Sequence, residues 1–359
     1  MEKQRAIDLL KRLTEAHGAP GSEDAVRQIF RDEVDGEIIT DRLGSIYGVK
    51  PGSADSPRIM LAGHMDEVGF IVQSFTSDGF IRFAPLGGWW GHTLLAQRVR
   101  ILTRNQTEII GVITSKPPHF LAKSEREKVM NIDKMYIDVG AKDIDDLKHN
   151  FGIRLGDPIV PFSEFTQLHN PDLLLCKAFD NRNGTGLAIH VLQELKHVDH
   201  PNRVYSGANV QEEVGVRGAE TAAALINPDV GIVLEGTPAD DTPGFGKDEQ
   251  QAVLGQGIQI RMFDPTAIMN RELAHFVIDV AEQCNINHQV AVRRSGGTDA
   301  RALQRHHVGV PVVVLGVPSR YIHTHNSIID INDYLRGLEL LVEVIKRLDA
   351  STVARFTAF

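Results

Sequence analysis

Seven side chains able to bind a metal or move a proton stand just after apolar, strand-like runs of this 359-residue chain. They are His64 and Asp66, Asp180, the doublet Glu212-Glu213, Glu235 and His323. Each alone reads most simply as a helix cap or a satisfied loop residue. Their coincidence says more, because parallel strands leave their C-terminal ends along one sheet edge, where residues distant in sequence converge. Two histidines with three carboxylates form the mixed N/O set that suits zinc, cobalt or manganese. In the doublet, set between apolar runs and followed by Val214-Gly215, one Glu can ligate a metal while its neighbour acts as a base toward water. Metal-activated water beside a carboxylate base is a standard route to amide hydrolysis. The chain has no His-Glu-x-x-His, Gly-x-Ser-x-Gly or Gly-Lys-Ser/Thr string, and no convincing Gly-x-Gly-x-x-Gly after a strand, so zincin, serine-hydrolase and nucleotide readings lose support.

The elements that must position these groups follow from periodicity. A helix is expected from about residue 3 to 16, then a break at Gly18-Ala19-Pro20-Gly21 and a second helix with Ser22 as N-cap and Glu23 and Asp24 in its first turn. Strands are expected at Ile46 to Val49 and Arg58 to Ala62. From about Gly69 to Phe162 short β runs separated by turn residues predict a small β domain. Beyond about 165, strands at Leu173, Val204, Gly231 and Val312 alternate with helices at Thr185–Leu195, Ala219–Ile226, Arg271–Gln283 and Asn332–Arg347. The predicted fold is α/β: a three-layer α/β/α catalytic domain of residues 1–68 plus 165–359, interrupted by a small β-barrel-like insertion domain at 69–164.

Composition narrows the partners. With 38 Lys and Arg against 47 Asp and Glu the net charge is −9, which disfavours binding to nucleic acid or to anionic membranes. The longest apolar stretch, Val308 to Pro318, falls short of the about 20 residues that span a bilayer. Met1 to Arg5 runs straight into an amphipathic pattern without a signal-peptide core, so a cytoplasmic protein is expected. Cys176 and Cys284, far apart in apolar contexts, suggest neither a disulfide framework nor a cysteine zinc site.

Five strings, Gly63-His64-Met65-Asp66-Glu67-Val68-Gly69, Ala178-Phe179-Asp180-Asn181-Arg182, Gln211-Glu212-Glu213-Val214-Gly215, Gly296-Gly297-Thr298-Asp299-Ala300 and Arg320-Tyr321-Ile322-His323, resemble in order and spacing the tetrahedral (TET) aminopeptidases. These co-catalytic metallopeptidases include glutamyl and deblocking aminopeptidases, and some members carry a cellulase label. The resemblance implies two divalent ions per subunit, zinc or cobalt and also manganese, bridged by Asp180. One ion would take His64 and Glu235, the other Glu213 and His323. Asp66 would orient the His64 ring, and Glu212 would be the general base for removing N-terminal residues from short peptides. Many relatives carry Asp where this chain has Glu235, so the longer side chain requires a backbone set slightly back. His325 is assigned to the rim or to a place behind the ligands.

The resemblance further implies a homo-oligomer, typically a dodecamer built from dimers, with the β insertion making contacts and narrowing access. Thr298 and Asp299 would lie beside the substrate; their plainer reading is a tight turn before a helix. Preference for an acidic N-terminal residue would need an Arg, whose planar fork matches a carboxylate, and Arg261 and Arg320 are the candidates. Two rival functions are a two-carboxylate glycoside hydrolase, which leaves the histidines without a role, and a catalytically idle metal-binding scaffold, against which Glu212 speaks.

Overall fold

Alternation along the central strands divides their side chains between two helical layers. In the computed structural model, which describes residues 1–358, Ile59, Leu61, Ile232, Leu234, Val313 and Leu315 pack with the helices Lys3–Glu15, Phe179–Glu194, Arg271–Gln283 and Ile331–Ile345. The intervening Met60, Ala62, Val233, Val312 and Val314 pack with the helices Arg217–Ile226 and Ala300–Gln304. A period of two therefore builds three layers, and strands buried on both faces are near-continuous apolar runs.

Arg203–Asn209, Arg58–His64, Val230–Pro238 and Val312–Arg320 lie side by side in that order, all parallel. The flanks run the other way. Ile46–Lys50 is antiparallel to Arg203–Asn209, and Ser327–Asp330 and Ile258–Asp264 are antiparallel to Val312–Arg320. The four strands that carry the site are thus parallel, as a shared edge requires, and the large sheet becomes mixed at its flanks. The six residues between Arg320 and Ser327 are too few for the crossover that a parallel pair requires.

Between the Arg58–His64 strand and Leu173–Cys176, the strands Gly69–Phe75, Ile81–Leu86, Arg98–Leu102, Glu108–Thr114, Tyr136–Asp138 and Pro158–Pro161 close into a barrel. Its core is its own, with Phe70, Phe83, Val99, Ile101, Ile113, Ile137 and Ile159 buried together. Trp89 stacks on Phe70 at 4.7 Å and donates through Nε1 to the Gly69 carbonyl. Trp90, Leu95, Ile110, Phe120 and Val129 of the same segment are exposed.

Ser22 does not cap the second helix, which runs Asp24–Glu33 after Glu23. Ser22 N–H closes a turn on the Ala19 carbonyl, and the Glu23 carboxylate turns inward to accept from Gly21 N–H at 2.7 Å and Gln211 N–H at 3.3 Å. Burial and the neighbouring Asp66 push the Glu23 carboxyl up to about 7. Among the described residues, no helix is long and apolar enough to cross a membrane.

Candidate active site

His64 closes the Arg58–His64 strand, and the register Ala62 opposite Val233 puts Glu235 level with it in the neighbouring strand. Glu235 lies inside Val230–Pro238, three residues short of its end, and not just past a strand as expected. Glu212 and Glu213 follow Arg203–Asn209, and His323 follows Val312–Arg320. Asp180 enters from the first turn of Phe179–Glu194, whose backbone is non-helical at Asp180 and Asn181. Two glycines admit that turn: a Cβ on Gly236 would lie 2.8 Å from Asp180 Cα, and one on Gly63 2.6 Å from the Gly184 carbonyl carbon.

The two carboxylate oxygens of Asp180 face different imidazoles. Oδ1 lies 3.4 Å from His64 Nε2, and Oδ2 lies 3.5 Å from His323 Nε2. Glu235 Oε2 is 3.8 Å from His64 Nε2, and Glu213 Oε1 is 3.3 Å from His323 Nε2. Two ligands of one tetrahedral ion at 2.0–2.1 Å are about 3.3–3.5 Å apart, so the spacing suits shared cations better than direct hydrogen bonds. Donor atoms of His64, Asp180 and Glu235, and separately of Asp180, Glu213 and His323, lie within 4.8 Å of one another. A third set, His64, Glu212 and Glu213, meets the same limit.

The electrostatics point the same way. Burial pushes Glu212 and Glu235 well above the usual carboxyl range and raises Glu213, while Asp299 rises to about 6. Burial opposes protonation of His323, but Glu213 and Asp180 hold the ring up at about 11; Asp180 and Asp66 likewise keep His64 raised. Glu213 Oε1 has no hydrogen-bond partner. Carboxylates this numerous and this buried cost free energy unless cations accompany them, and two imidazolium rings do not match four acids. The donor set therefore fits divalent cations.

The chain matches the family model described as M42 glutamyl aminopeptidase over residues 44–340. It belongs to the M42 family. It is 37% identical over 353 residues to the glutamyl aminopeptidase of Lactococcus lactis subsp. cremoris, covering 97% of this chain and 98% of that protein. It also resembles the TET aminopeptidase crystal structure from the archaeon Thaumarchaeota archaeon SCGC AB-539-E09, at 40% identity, 99% coverage of both chains and a TM-score of 0.95. The TET1 peptidase of Pyrococcus horikoshii, described as assembling into a tetrahedron or a large octahedral shell, is similar at 27% identity and a TM-score of 0.85, over 96% of this chain and 100% of that one. As an M42 member the protein is a metal-dependent aminopeptidase, a hydrolase of peptide bonds.

Around this M42 site lie supports that carry no sequence signature. Asp66 does more than face His64, whose Nδ1 is 3.0 Å from the Asp66 carbonyl and 3.4 Å from Oδ1. Its two oxygens also accept, each at 3.0 Å, from the backbone N–H groups of Glu212 and Glu213, which fixes the acidic doublet. His323 Nδ1 donates to the Gly88 carbonyl at 2.8 Å, so the barrel segment, which supplies none of the proposed metal ligands, orients one imidazole. His325 lies apart, buried beside Trp89 and lowered to about 4 by burial. Ala178, Gln211, Val216, Tyr321 and His323 all have left-handed backbone, with φ between 51° and 60°. Such strain persists only where surrounding structure imposes it, and here it clusters on the loops carrying the site.

Behind the cations' place sits a buried ion cluster. Lys177 Nζ donates to both oxygens of Glu67 at 2.5 and 2.7 Å, and Arg182 reaches the same carboxylate at 3.1 Å. All three side chains are at most 2% exposed. Glu67 thereby ties the His64 loop to the segment bearing Asp180. Glu67→Gln leaves two buried cations under-compensated and is expected to cost about 3–5 kcal/mol in urea unfolding. A loss below about 1 kcal/mol would show that the charge is dispensable.

A cleft of about 510 Å³ opens over the site and is lined by Thr298, Gly296, Gly297, Arg261, Arg293 and Arg301 besides the metal-binding candidates. Asp299 lies behind Thr298, its Oδ2 accepting from Asn209 Nδ2 at 2.8 Å. Arg320 is not in the cleft: it forms a two-pronged pair with Asp241 at 2.7 Å. Arg261 is, but it contacts Asp264 at 3.3 Å and Thr237 Oγ1 at 3.1 Å. Arg293 and Arg301 went unread in the sequence, where nothing distinguishes them from the chain's other arginines.

Proposed function

We propose that the protein releases N-terminal residues from short peptides at a dinuclear site in which Asp180 bridges two cations, His64 and Glu235 completing one set and Glu213 and His323 the other. The observation that carries this reading is the division of the Asp180 oxygens between His64 and His323, 3.4 and 3.5 Å away. Held by these residues, zinc, cobalt or manganese would supply Lewis-acid polarisation of the scissile carbonyl and a lowered pKa for the attacking water. Glu212 takes the proton of that water and passes it to the leaving amine. Asp66 holds Glu212 in place through its N–H and fixes the His64 ring. Thr298 and the Gly296-Gly297 backbone border the bound peptide, with Asp299 behind them.

A cytoplasmic dodecamer built from dimers is part of the same reading. The exposed Trp90, Leu95, Ile110 and Phe120 of the 69–164 segment give it an apolar outer surface suited to subunit contact. We treat residues 69–164 as the insertion domain of a catalytic domain made from 1–68 and 165–359. Light scattering is expected to find a twelve-subunit particle, and a barrel-surface change such as Phe120→Asp is expected to reduce its size. A monomer in the unaltered protein, or an unchanged particle after several such changes, would remove the assembly role.

An acidic N-terminal residue is the proposed preference, read by Arg261, which lines the cleft as Arg320 does not. Glu-p-nitroanilide is expected to exceed Leu-p-nitroanilide in kcat/KM, with Arg261→Gln lowering the Glu/Leu ratio and Arg320→Gln leaving it alone. A tenfold excess of Leu over Glu, about 1.4 kcal/mol in the barrier, would reject the preference.

A further inference from the structure

Arg261 and Arg293 are cations already partnered within the cleft, the first by Asp264 and the second by Asp240 at 2.6 Å. Arg301 is different. It lines the same cleft, is exposed, and has no side-chain hydrogen bond or ion pair among the described residues. It also lines a second, adjoining hollow of about 340 Å³ bordered by Arg305, His306, His307 and Glu220. Arg305 is likewise exposed and without an ion-pair partner among the described residues. Arg301 and Arg305 stand four residues apart at the Ala300–Gln304 helix and its C-cap, so both side chains leave from one face.

This strip begins beside the metal site and leads away from it. Asp299, two residues before Arg301, lies close enough to His64 for the two to influence each other's charge. Arg305 lies about 6 Å further along the helix axis than Arg301. An N-terminal side chain, anchored by its own scissile carbonyl at the cations, ends within a few ångströms of them. A free carboxylate at the far end of a short peptide is carried away by about 3.3 Å per extended residue. Two unpartnered guanidinium groups, with only Glu220 opposing them in the hollow, suit that anion.

We infer that Arg301 and Arg305 bind the C-terminal carboxylate of the peptide substrate, making the enzyme selective for short peptides with a free C-terminus. The inference rests on the aminopeptidase reading above. It makes the helix that follows Asp299 a gauge of length, with the N-terminus held at the cations and the C-terminus at the arginines.

The test compares Leu-Ala-Ala, and Glu-Ala-Ala beside it, with their C-terminal amides, using the metal-loaded full-length enzyme. The free acid is expected to be favoured by about 10- to 100-fold in kcat/KM, the range of a hydrogen bond to a charged group, with the difference in KM. Arg301→Gln and Arg305→Gln are each expected to reduce the acid/amide ratio, and the double variant to bring it near one. A misfolded variant lowers both substrates together and leaves the ratio intact, so the ratio separates recognition from stability. Equal turnover of acid and amide by the unaltered enzyme overturns the assignment. So does a ratio that survives in a double variant whose turnover of the amide is unaltered, or an Arg301→Gln effect confined to the Glu/Leu nitroanilide ratio, which would place the arginine at the N-terminal side chain. No turnover of Leu-Ala-Ala, of Glu-Ala-Ala or of either nitroanilide would instead contradict the aminopeptidase reading itself, and this inference would fall with it.

Discussion

Glu212→Gln is expected to lower kcat by about 10²–10⁴-fold while the fold and the bound metal stay as they were. The amide is nearly isosteric, and the backbone N–H that Asp66 accepts at 3.0 Å is untouched by the change. What disappears is a carboxylate able to take a proton from water and deliver it to the leaving amine. The geometry leaves one other role open to Glu212, because its oxygen is 3.9 Å from His64 Nε2 and it forms a compact donor set with His64 and Glu213. Metal analysis beside the kinetics separates the two. Low turnover with full metal identifies the base, low turnover with lost metal identifies a ligand, and near-unaltered kcat excludes the base assignment.

Asp180→Ala should have the widest effect on metal content, because Asp180 alone contributes an oxygen to both donor sets. Occupancy is expected to fall at both positions and activity to fall with it. His64→Ala and His323→Ala should chiefly weaken one position each, since each imidazole faces one side of Asp180. Elemental analysis after dialysis against limiting zinc reads the difference. Two fully occupied ions in Asp180→Ala would end the bridging assignment. Retention of one ion in His64→Ala and in His323→Ala, but none in Asp180→Ala, is the pattern the geometry requires.

Much of this arrangement is legible in the sequence because the physics is local. Val312-Val313-Val314-Leu315 is apolar at every position, which marks a strand covered on both faces, and polar residues after such strands share an edge. The mixed sheet was less legible: strand direction depends on connection length, and Ser327–Asp330 is too short and ordinary a run to announce itself. The same holds for Glu235, whose level beside His64 is a matter of register between strands 171 residues apart in sequence.

The supports were illegible for a different reason. Gly88 acts on His323 through a carbonyl that every residue type possesses. Glu67 reads as one more acid in an acid-rich string until Lys177 and Arg182 are found against it. Arg320 stands three residues before His323, yet the parallel register that sets Pro238 opposite Ser319 leaves Asp241 just past the end of the neighbouring strand, where it pairs with Arg320 outside the cleft. Arg301 carries no sequence signal beside Thr298 and Asp299, although the helix that Asp299 begins brings it to the cleft wall.

Anomalous diffraction from crystals of the zinc-loaded protein tests the central claim most directly. Two zinc peaks per chain are predicted, one among His64, Glu235 and Asp180 and the other among Glu213, His323 and Asp180, with Asp180 in contact with both. A single peak at full occupancy, or two peaks of which only one touches Asp180, would contradict the bridged dinuclear site.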